Sequence, residues 1–484
     1  MRICIVGTGY VGLVSGACFA DWGHDVTCVD TNRDKISILN SGGLPIYEPG
    51  LAEITKRNMR EGRLSFSTDL VSRVQDADAV FIAVGTPSRP SDGRVDLSCV
   101  YAVAREIAPT LPDGVVIVIK STVPVGTCDE VERLISERRP QLDFHVASNP
   151  EFLRAGAAVH DFKRPDRIII GGDRCACDRV ADIYRQFLFD GTPIVFTNRR
   201  SAELIKYASN AFLATKIAYI NEVAEVCERV GADVQEVAHG MGLDVRIGPR
   251  FLNAGPGFGG SCFPKDTLAL MKIAEDVEAP MRIVESVFAA NERRKRAMVR
   301  KIPSALGASL IGKTVALLGL TFKPNTDDMR EAPSLALITG LRDVGALVRA
   351  YDPVAVDHQA LSKDITCCAS PYEAAQGADV LVLVTEWDEF RNLDLARIKQ
   401  VMRSPIMLDL RCLYSADVMN GHGIRYYRIG APHLVPTPRI IPRQAAPHHR
   451  LRLINGAKHT NGASPKPKRQ RRIAAVGNET PAPA

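Results

Sequence analysis

RICIVGTGYVGLVSGACFADWGHDVTCVD, residues 2–30, decides the fold. An apolar run leads into a turn with glycines at positions 7, 9 and 12, continues as the helical stretch LVSGACFADWG, and returns to a second apolar run ending in Asp30. Strand, glycine turn, helix and strand make the first half of a nucleotide-binding βαβ unit. Its glycines permit a tight turn, close approach of a pyrophosphate and packing of the helix on the strand. Asp30 stands 18 residues after Gly12. There a carboxylate accepts hydrogen bonds from a ribose diol and repels a 2′-phosphate, so the spacing predicts NAD rather than NADP.

Further apolar runs lie at 79–85, 115–121, 145–151 and 167–172, with helical segments between them. Such alternation predicts a parallel, doubly wound sheet. Residues 201–230 carry apolar positions at helical spacing without Pro or Gly, which predicts one long helix that bridges domains or packs on a symmetry mate; helical character continues to about 297. At Lys313 the pattern KTVALLGL opens a second, incomplete βαβ region, with later strands at 379–385 and 406–411. The expected architecture is two Rossmann-like α/β domains, 1–200 and 301–440, joined by a central helical dimerisation domain, 201–300, and followed by a disordered basic tail, 441–484.

The 484 residues are 46% apolar, 24% charged and 6% aromatic, which excludes disordered and fibrous classes. No 18-residue apolar run predicts a membrane span. The glycines of the N-terminal stretch favour a folded first element over a signal peptide, so a cytoplasmic location is expected. Twelve cysteines lack CxxC spacing, consistent with free thiols and no metal site. The net charge of +6 belongs to the tail: residues 441–484 carry +8 and residues 1–440 carry −2. PKPKRQRR, 465–472, lacks interleaved aromatics, so it predicts at most non-specific electrostatic binding to nucleic acid.

FLNAGPGFGGSCFPKD, 251–266, places Cys262 on a glycine-rich loop with Lys265 and Asp266 behind it. Nearby positive charge or a helix N-terminus lowers a thiol pKa, so Cys262 reads as an exposed thiolate nucleophile. Beside a dinucleotide fold, such a nucleophile suggests oxidation at the aldehyde level, through a thiohemiacetal and a thioester to an acid. Lys35 reads equally as a lysine reaching back to the adenosine end and as a solvated helix lysine. Thr86, Ser121 and Thr122 follow later strands at the sheet edge where the nicotinamide end belongs.

With GTP (85–87), STVPVGT (121–127), NPEFLR (149–154), KYASNAF (206–212), RIGPRFLNAGPGFGGSCFPKD (246–266) and GLTFKPNTDDMREAPS (319–334), the sequence resembles the UDP-glucose/GDP-mannose dehydrogenase family over about residues 1–430. The resemblance implies a four-electron oxidation of C6 of UDP-glucose to UDP-glucuronate with two NAD⁺ per turnover and Cys262 as covalent nucleophile. It implies that Lys206 and Asn210 hold the oxyanion; at i and i+4 they share a helix face. Asp266 resembles the group that assists proton transfer through water. Thr122 and Glu151 resemble the water-positioning group and the general base, a role that a raised carboxylate pKa suits. The family's second acidic residue, four positions after Glu151, is Ala155 here. Cofactor contacts are implied at Gly7, Gly9, Tyr10, Val11, Gly12, Asp30, Lys35, Thr86, Ser121, Thr122, Lys265 and Arg330. Sugar-nucleotide contacts are implied at Glu151, Phe152, Leu153, Arg154, Lys206, Asn210, Arg250, Phe251, Asn253, Gly255, Phe258, Gly259, Phe322 and Lys323. Arg246 is expected to reach a neighbouring subunit's site in a homodimer or higher homo-oligomer, and Arg411 is a weaker candidate. The serine in GFGGSC and the RIG segment favour UDP-glucose; GDP-mannose and UDP-N-acetylhexosamines are the alternative substrates, because N-acetyl-sugar relatives resemble this loop with a histidine beside the cysteine.

Overall fold

The computed structural model describes residues 1–185, 191–354, 361 and 365–432. The expected basic tail, 441–484, lies outside the described residues.

β1 (Arg2–Val6), β2 (Asp25–Val29), β3 (Leu64–Ser67), β4 (Ala79–Ile82), β5 (Val115–Ile119), β6 (Phe144–Ser148), β7 (Ile168–Gly171) and β8 (Ile194–Thr197) form one sheet in the order β3-β2-β1-β4-β5-β6-β7-β8. Helices cover both faces, so central strands such as β4 and β5 are buried along their whole length and read as unbroken apolar runs. The parallel expectation has one exception. β6 and β7 meet antiparallel through the single pair Ser148↔Gly171, while β7 and β8 pair parallel.

β9 (Thr314–Leu318), β10 (Leu347–Tyr351), β11 (Thr366–Cys367), β12 (Val380–Leu383), β13 (Ile406–Asp409) and β14 (Arg425–Arg428) form a second sheet, all parallel, in the order β11-β10-β9-β12-β13-β14. The second domain is therefore a full six-stranded sheet, where the sequence pattern predicted an incomplete one. Its edges hid the difference: β11 has two residues, and RYYR of β14 carries no apolar run.

Between the sheets runs a helix of 32 residues, Arg199–Val230. Asn198 caps its start by accepting from the Ser201 amide, and Gly231, at φ +83°, ends it. The small buried residues Ala211, Ala214 and Ala218 let other helices approach closely, while Ala202 packs on Gly171 of β7. Phe263–Asp276 and Arg282–Leu306 pack there. The helical run expected to reach 297 is broken between Val234–Gly242 and Phe263–Asp276 by the loop that carries Cys262. Among the described residues no helix is long and apolar enough to cross a membrane.

Candidate active site

The dinucleotide end is built by the turn after β1. Gly7 sits at φ +105°, a conformation open to glycine, and its amide donates to the Val29 carbonyl at 2.7 Å. A Cβ on Gly12 would overlap the Gly7 carbonyl oxygen, whereas a Cβ on Gly9 would meet nothing within 4 Å. The helix Tyr10–Asp21 starts at Gly9 without a side-chain cap, leaving a helix N-terminus open to an anion. Asp30 accepts from the Thr8 amide at 2.8 Å, the Thr8 hydroxyl at 2.7 Å and the Asn32 amide at 2.9 Å. Burial works to raise its pKa, but these donors outweigh it and hold the carboxyl below its ordinary value. An open cradle, an uncapped helix start and an ionised carboxylate at the end of β2 fit NAD.

Other expected cofactor residues do structural work. The Thr86 hydroxyl donates to the Thr122 carbonyl at 3.0 Å and Ser121 donates to the Val84 carbonyl at 2.7 Å, so these side chains tie the loops after β4 and β5 together. Val11 packs on the first core, and the Tyr10 hydroxyl accepts from the Gly156 amide at 2.9 Å. The Lys35 amide binds the Asn32 cap, and its ammonium contributes to the field at Asp30.

The chemical end forms where the long helix, the loop after β6 and the helix Phe263–Asp276 meet. Cys262 is the N-terminal flanking residue of that last helix and is exposed. Lys206 and Asn210, one turn apart on the long helix, are both buried, each with its own carboxylate. Lys206 Nζ lies 2.9 Å from Glu151 Oε1, and the Leu153 amide donates to Glu151 Oε2 at 2.5 Å. Asn210 Nδ2 donates to Asp266 Oδ2 at 2.6 Å, while Lys265 Nζ lies 2.7 Å from Asp266 Oδ1. Phe152 covers the first pair, with the Lys206 ammonium 5.3 Å from its ring and Arg167 3.7 Å on its face.

Two electrostatic expectations are corrected. Glu151, expected to have a raised pKa, has a lowered one: burial raises it, but the Lys206 ammonium and its hydrogen bond outweigh burial. Glu151 is thus a paired carboxylate. Although the Cys262 residue reaches the surface, its thiol, expected to be an activated thiolate, is pushed up, chiefly by desolvation from the walls packed around it and then by the Glu151 charge, with Lys206 only partly opposing. Lys206 is correspondingly raised: burial opposes its charge, but Glu151 prevails.

The second sheet reaches this cluster through the loop 319–332. The Gly260 amide donates to the Arg330 carbonyl at 2.8 Å, and Gly260, at φ +83°, lies so close to Phe322 that a Cβ would come within 2.7 Å of its ring. A Cβ on Gly259 would overlap the Glu331 carbonyl oxygen. Burial lowers the Lys323 ammonium, which lies within the field of Cys262. Phe258 is fixed by Asn291, which accepts from its amide at 2.8 Å, and Gly255 by Asn221, at 2.7 Å. Arg411 Nε donates to the Val384 carbonyl at 2.8 Å and pairs with Glu386 at 3.0 Å, and a Cβ on Gly255 would come within 2.8 Å of its Nη1. Phe251, at φ +66°, stacks edge-on to Phe263 at 6.1 Å, and Asn253 is exposed. The remaining arginine candidates each hold a carboxylate: Arg154 pairs with Asp161 at 2.6 Å, Arg246 with Asp244 at 2.6 Å, Arg250 with Asp166 at 3.6 Å, and Arg330 with Asp328 at 2.8 Å, Arg330 also lying within the field of Cys262.

Sequence models of the UDP-glucose/GDP-mannose dehydrogenase family match in series: the NAD binding domain at 1–188, the central domain at 200–293 and the UDP binding domain at 316–416. The chain belongs to this family. It is an NAD-dependent oxidoreductase. It is 56% identical over 436 residues to a UDP-glucose 6-dehydrogenase of Rhizobium meliloti, covering 89% of this chain and all of that one. A UDP-glucose 6-dehydrogenase of Pseudomonas aeruginosa is 46% identical over 444 residues, covering 89% and 98%. A solved UDP-glucose dehydrogenase of Pyrobaculum islandicum superposes with a TM-score of 0.81 at 39% identity, covering 89% and 97%. A UDP-D-ManNAc dehydrogenase of Pyrococcus horikoshii superposes at 0.79 with 28% identity, covering 90% and all of that chain.

Among the buried charges of this dehydrogenase that escaped sequence reasoning, three hold parts of the first domain in place. Glu48 accepts from the amides of Gly156 at 2.7 Å and Ala158 at 2.8 Å, pinning the end of the NPEFLRAG loop. Glu203 accepts from the amides of Gly126 and Cys128 at 2.6 and 2.8 Å, at the start of the helix Thr127–Arg138. Lys120 ends the apolar strand VVIVI, and that placement was the one legible signal among the three.

Proposed function

We propose that this chain oxidises C6 of UDP-glucose to the carboxylate of UDP-glucuronate, with NAD⁺ consumed twice per turnover and Cys262 as the covalent nucleophile. The observation that carries this reading is that two buried pairs, Lys206–Glu151 and Asn210–Asp266, stand together, with the charges of Glu151, Lys206 and Asp266 all acting on the Cys262 thiol. Gly7, Gly9, Gly12 and Asp30 would hold NAD, which supplies the hydride acceptor for both oxidations.

The division of labour follows from charge. The Lys206 ammonium and the Asn210 amide stabilise negative charge on the reacting oxygen, as alkoxide and later as tetrahedral oxyanion; one such donor is worth about 100- to 1,000-fold in rate. Asp266, locked by Asn210 and Lys265, handles the proton through water. Loss of the first hydride from the C6 alkoxide would leave an aldehyde; Cys262 Sγ then adds to C6 while its proton passes to the aldehyde oxygen, forming a thiohemiacetal, and loss of the second hydride together with the hydroxyl proton would give a thioester. Glu151, ionised and assisted by Thr122, takes a proton from the water that cleaves it. Pairing with Lys206 makes Glu151 a weak base in the free enzyme, so its basicity rises as the ammonium turns to the substrate oxyanion.

The corresponding domain division is 1–200 for NAD, 201–300 for the centre, and 301–440 for the UDP-sugar. Leu204, Phe212, Tyr219, Val226 and Val230, each at least 43% exposed, line the open side of the long helix and support a homodimer; light scattering at single-chain mass would remove it. The free thiols suit a cytoplasmic setting.

The deciding experiment offers UDP-glucose, GDP-mannose and a UDP-N-acetylhexosamine separately, to wild type and Cys262→Ser, and counts NADH per sugar consumed. UDP-glucose alone should yield two NADH and the acid, with Cys262→Ser losing acid formation. Preference for another sugar, or wild-type acid formation by Cys262→Ser, sinks the assignment.

A further inference from the structure

Lys120 is a buried cation that the reaction as proposed leaves unused. It follows β5, whose residues are all buried, and precedes Ser121 and Thr122. Its Nζ donates to Asn149 Oδ1 at 2.9 Å, to the Asn149 carbonyl at 3.3 Å and to the Tyr184 hydroxyl oxygen at 3.1 Å. The Tyr184 hydroxyl in turn donates to Asn149 Oδ1 at 2.6 Å, and Asn149 Nδ2 donates to the Ile169 carbonyl at 2.8 Å. Three ammonium donors thus meet three acceptors. Asn149 stands two residues before Glu151, so this clasp holds the loop that carries the carboxylate. The groups facing Lys120 are Glu151 on that loop, Lys206 on the long helix and Tyr184 after the helix Arg174–Ile183, its ring 5.8 Å from Nζ.

We propose that Lys120 is a positioning residue for Glu151: through Asn149 and Tyr184 it fixes the loop after β6, and its ammonium is the second buried cation, beside Lys206, that keeps the Glu151 carboxylate ionised for water activation. This rests on the assignment of Glu151 as base in thioester hydrolysis. A purely structural residue at a dry strand end is better made apolar, because burying a charge is costly unless the charge is used or matched. Burial pushes the Lys120 ammonium down to about 7; the Glu151 charge opposes this and the Lys206 charge adds to it. The clasp therefore loses a donor and a charge as pH rises through neutrality.

The test compares Lys120→Met, Tyr184→Phe and Glu151→Gln, reading the NADH burst, the thioester on Cys262 by acid quench and mass spectrometry, and the pH profile of its hydrolysis. Lys120→Met should keep the burst, accumulate thioester and hydrolyse it more slowly, on the order of 100-fold. Its acid limb should move to higher pH, because removing a neighbouring cation raises the Glu151 pKa. Tyr184→Phe takes one acceptor from the ammonium and keeps both charges, so the Lys120 inflection should move to lower pH. Wild-type hydrolysis in Lys120→Met, or an acid limb that stays in place, overturns the proposal. Should Lys120→Met fail to fold, Tyr184→Phe decides, and an unmoved inflection there overturns it. Glu151→Gln keeps the two ideas apart: no accumulated thioester in that variant defeats the base assignment itself, whatever the Lys120 variants do.

Discussion

The two sheets share one plan and use it differently. Each opens with a strand ending in a positive-φ glycine, Gly7 at +105° and Gly319 at +95°, whose amide donates to the end of the neighbouring strand. Each then places an aspartate after that neighbour. Asp30 Oδ2 accepts from the amide and hydroxyl of Thr8, and Asp352 Oδ2 from the amide and hydroxyl of Thr321; Oδ1 accepts from Asn32 in one case and Val354 in the other. Beyond this the domains part. Asp352 also receives the Leu320 amide at 2.7 Å and the Trp387 indole at 3.1 Å, so protein donors surround it and it braces the fold. Asp30 ends at an open turn only three residues long, before the uncapped helix at Gly9. In the second sheet the corresponding connection runs from 319 to 332 and is used to reach Gly260. One chain pattern therefore leaves an open glycine turn where the connection is short, and becomes a brace whose loop reaches Gly260, two residues before Cys262, where it is long.

The sharpest way to break this comparison is at one glycine of each domain's opening unit. Gly12→Ala drives a Cβ into the Gly7 carbonyl and should cost NAD-dependent turnover on the order of 100-fold or more, because the turn itself must move. Gly319→Ala meets Thr385 with an unfavourable φ and should cost about 3 kcal/mol of stability while leaving NAD affinity intact. Titration calorimetry with NAD and thermal melts on both variants read the contrast, and a loss of NAD affinity in Gly319→Ala defeats it. The aspartates give a smaller effect. Asp30→Ala should narrow the preference for NAD over NADP to within about tenfold and, by stranding the Thr8 amide and hydroxyl and the Asn32 amide, lower stability by about 2 kcal/mol. Asp352→Ala strands several donors and should lower stability on the order of 3 kcal/mol without altering cofactor preference. An equal shift in cofactor preference from both would show that the two carboxylates do the same work.

How much of this was legible follows from how burial writes itself into sequence. Strands paired on both sides, such as β4 and β12, are apolar at every position and announce themselves. Edge strands such as β3, LSFS, and β14, RYYR, alternate or stay polar, which is why the second sheet looked incomplete. At the site, Cys262, Lys206, Asn210, Glu151 and Asp266 were all named from motifs and do come together. Their charge states were not legible. A pKa depends on which neighbour sits within a few ångströms, and the Lys206–Glu151 pair joins residues 55 apart in the chain. Lys120, Glu48 and Glu203 were missed for a related reason: their partners are backbone amides, carbonyls and a distant tyrosine, and such acceptors and donors have no sequence signature.

The finest distinction between the sheets lies in one hydroxyl. Thr8 and Thr321 are both buried, and each donates its hydroxyl to the aspartate after the next strand, at 2.7 and 3.1 Å. Replacing either with valine removes one hydrogen bond, worth about 1 kcal/mol. At Asp352 three donors to Oδ2 remain, so Thr321→Val should appear only as a small fall in melting temperature. At Asp30 the loss has two further consequences. The carboxylate proposed to bind the ribose is less firmly oriented, so NAD affinity should fall about fivefold. Its pKa should also rise, because the Thr8 hydroxyl is one of the donors that hold it down. A depressed carboxyl pKa contributes stability above the unfolded value, about 3.9, and that contribution disappears as pH falls through the folded value. Moving the folded value upward shrinks the contribution, so acid unfolding of Thr8→Val should begin at higher pH than in wild type. NAD titrations and acid-unfolding curves on the two valine variants measure both effects. Should Thr8→Val and Thr321→Val prove indistinguishable in NAD affinity, Asp30 is a brace like Asp352, and cofactor choice must be made elsewhere in the first domain.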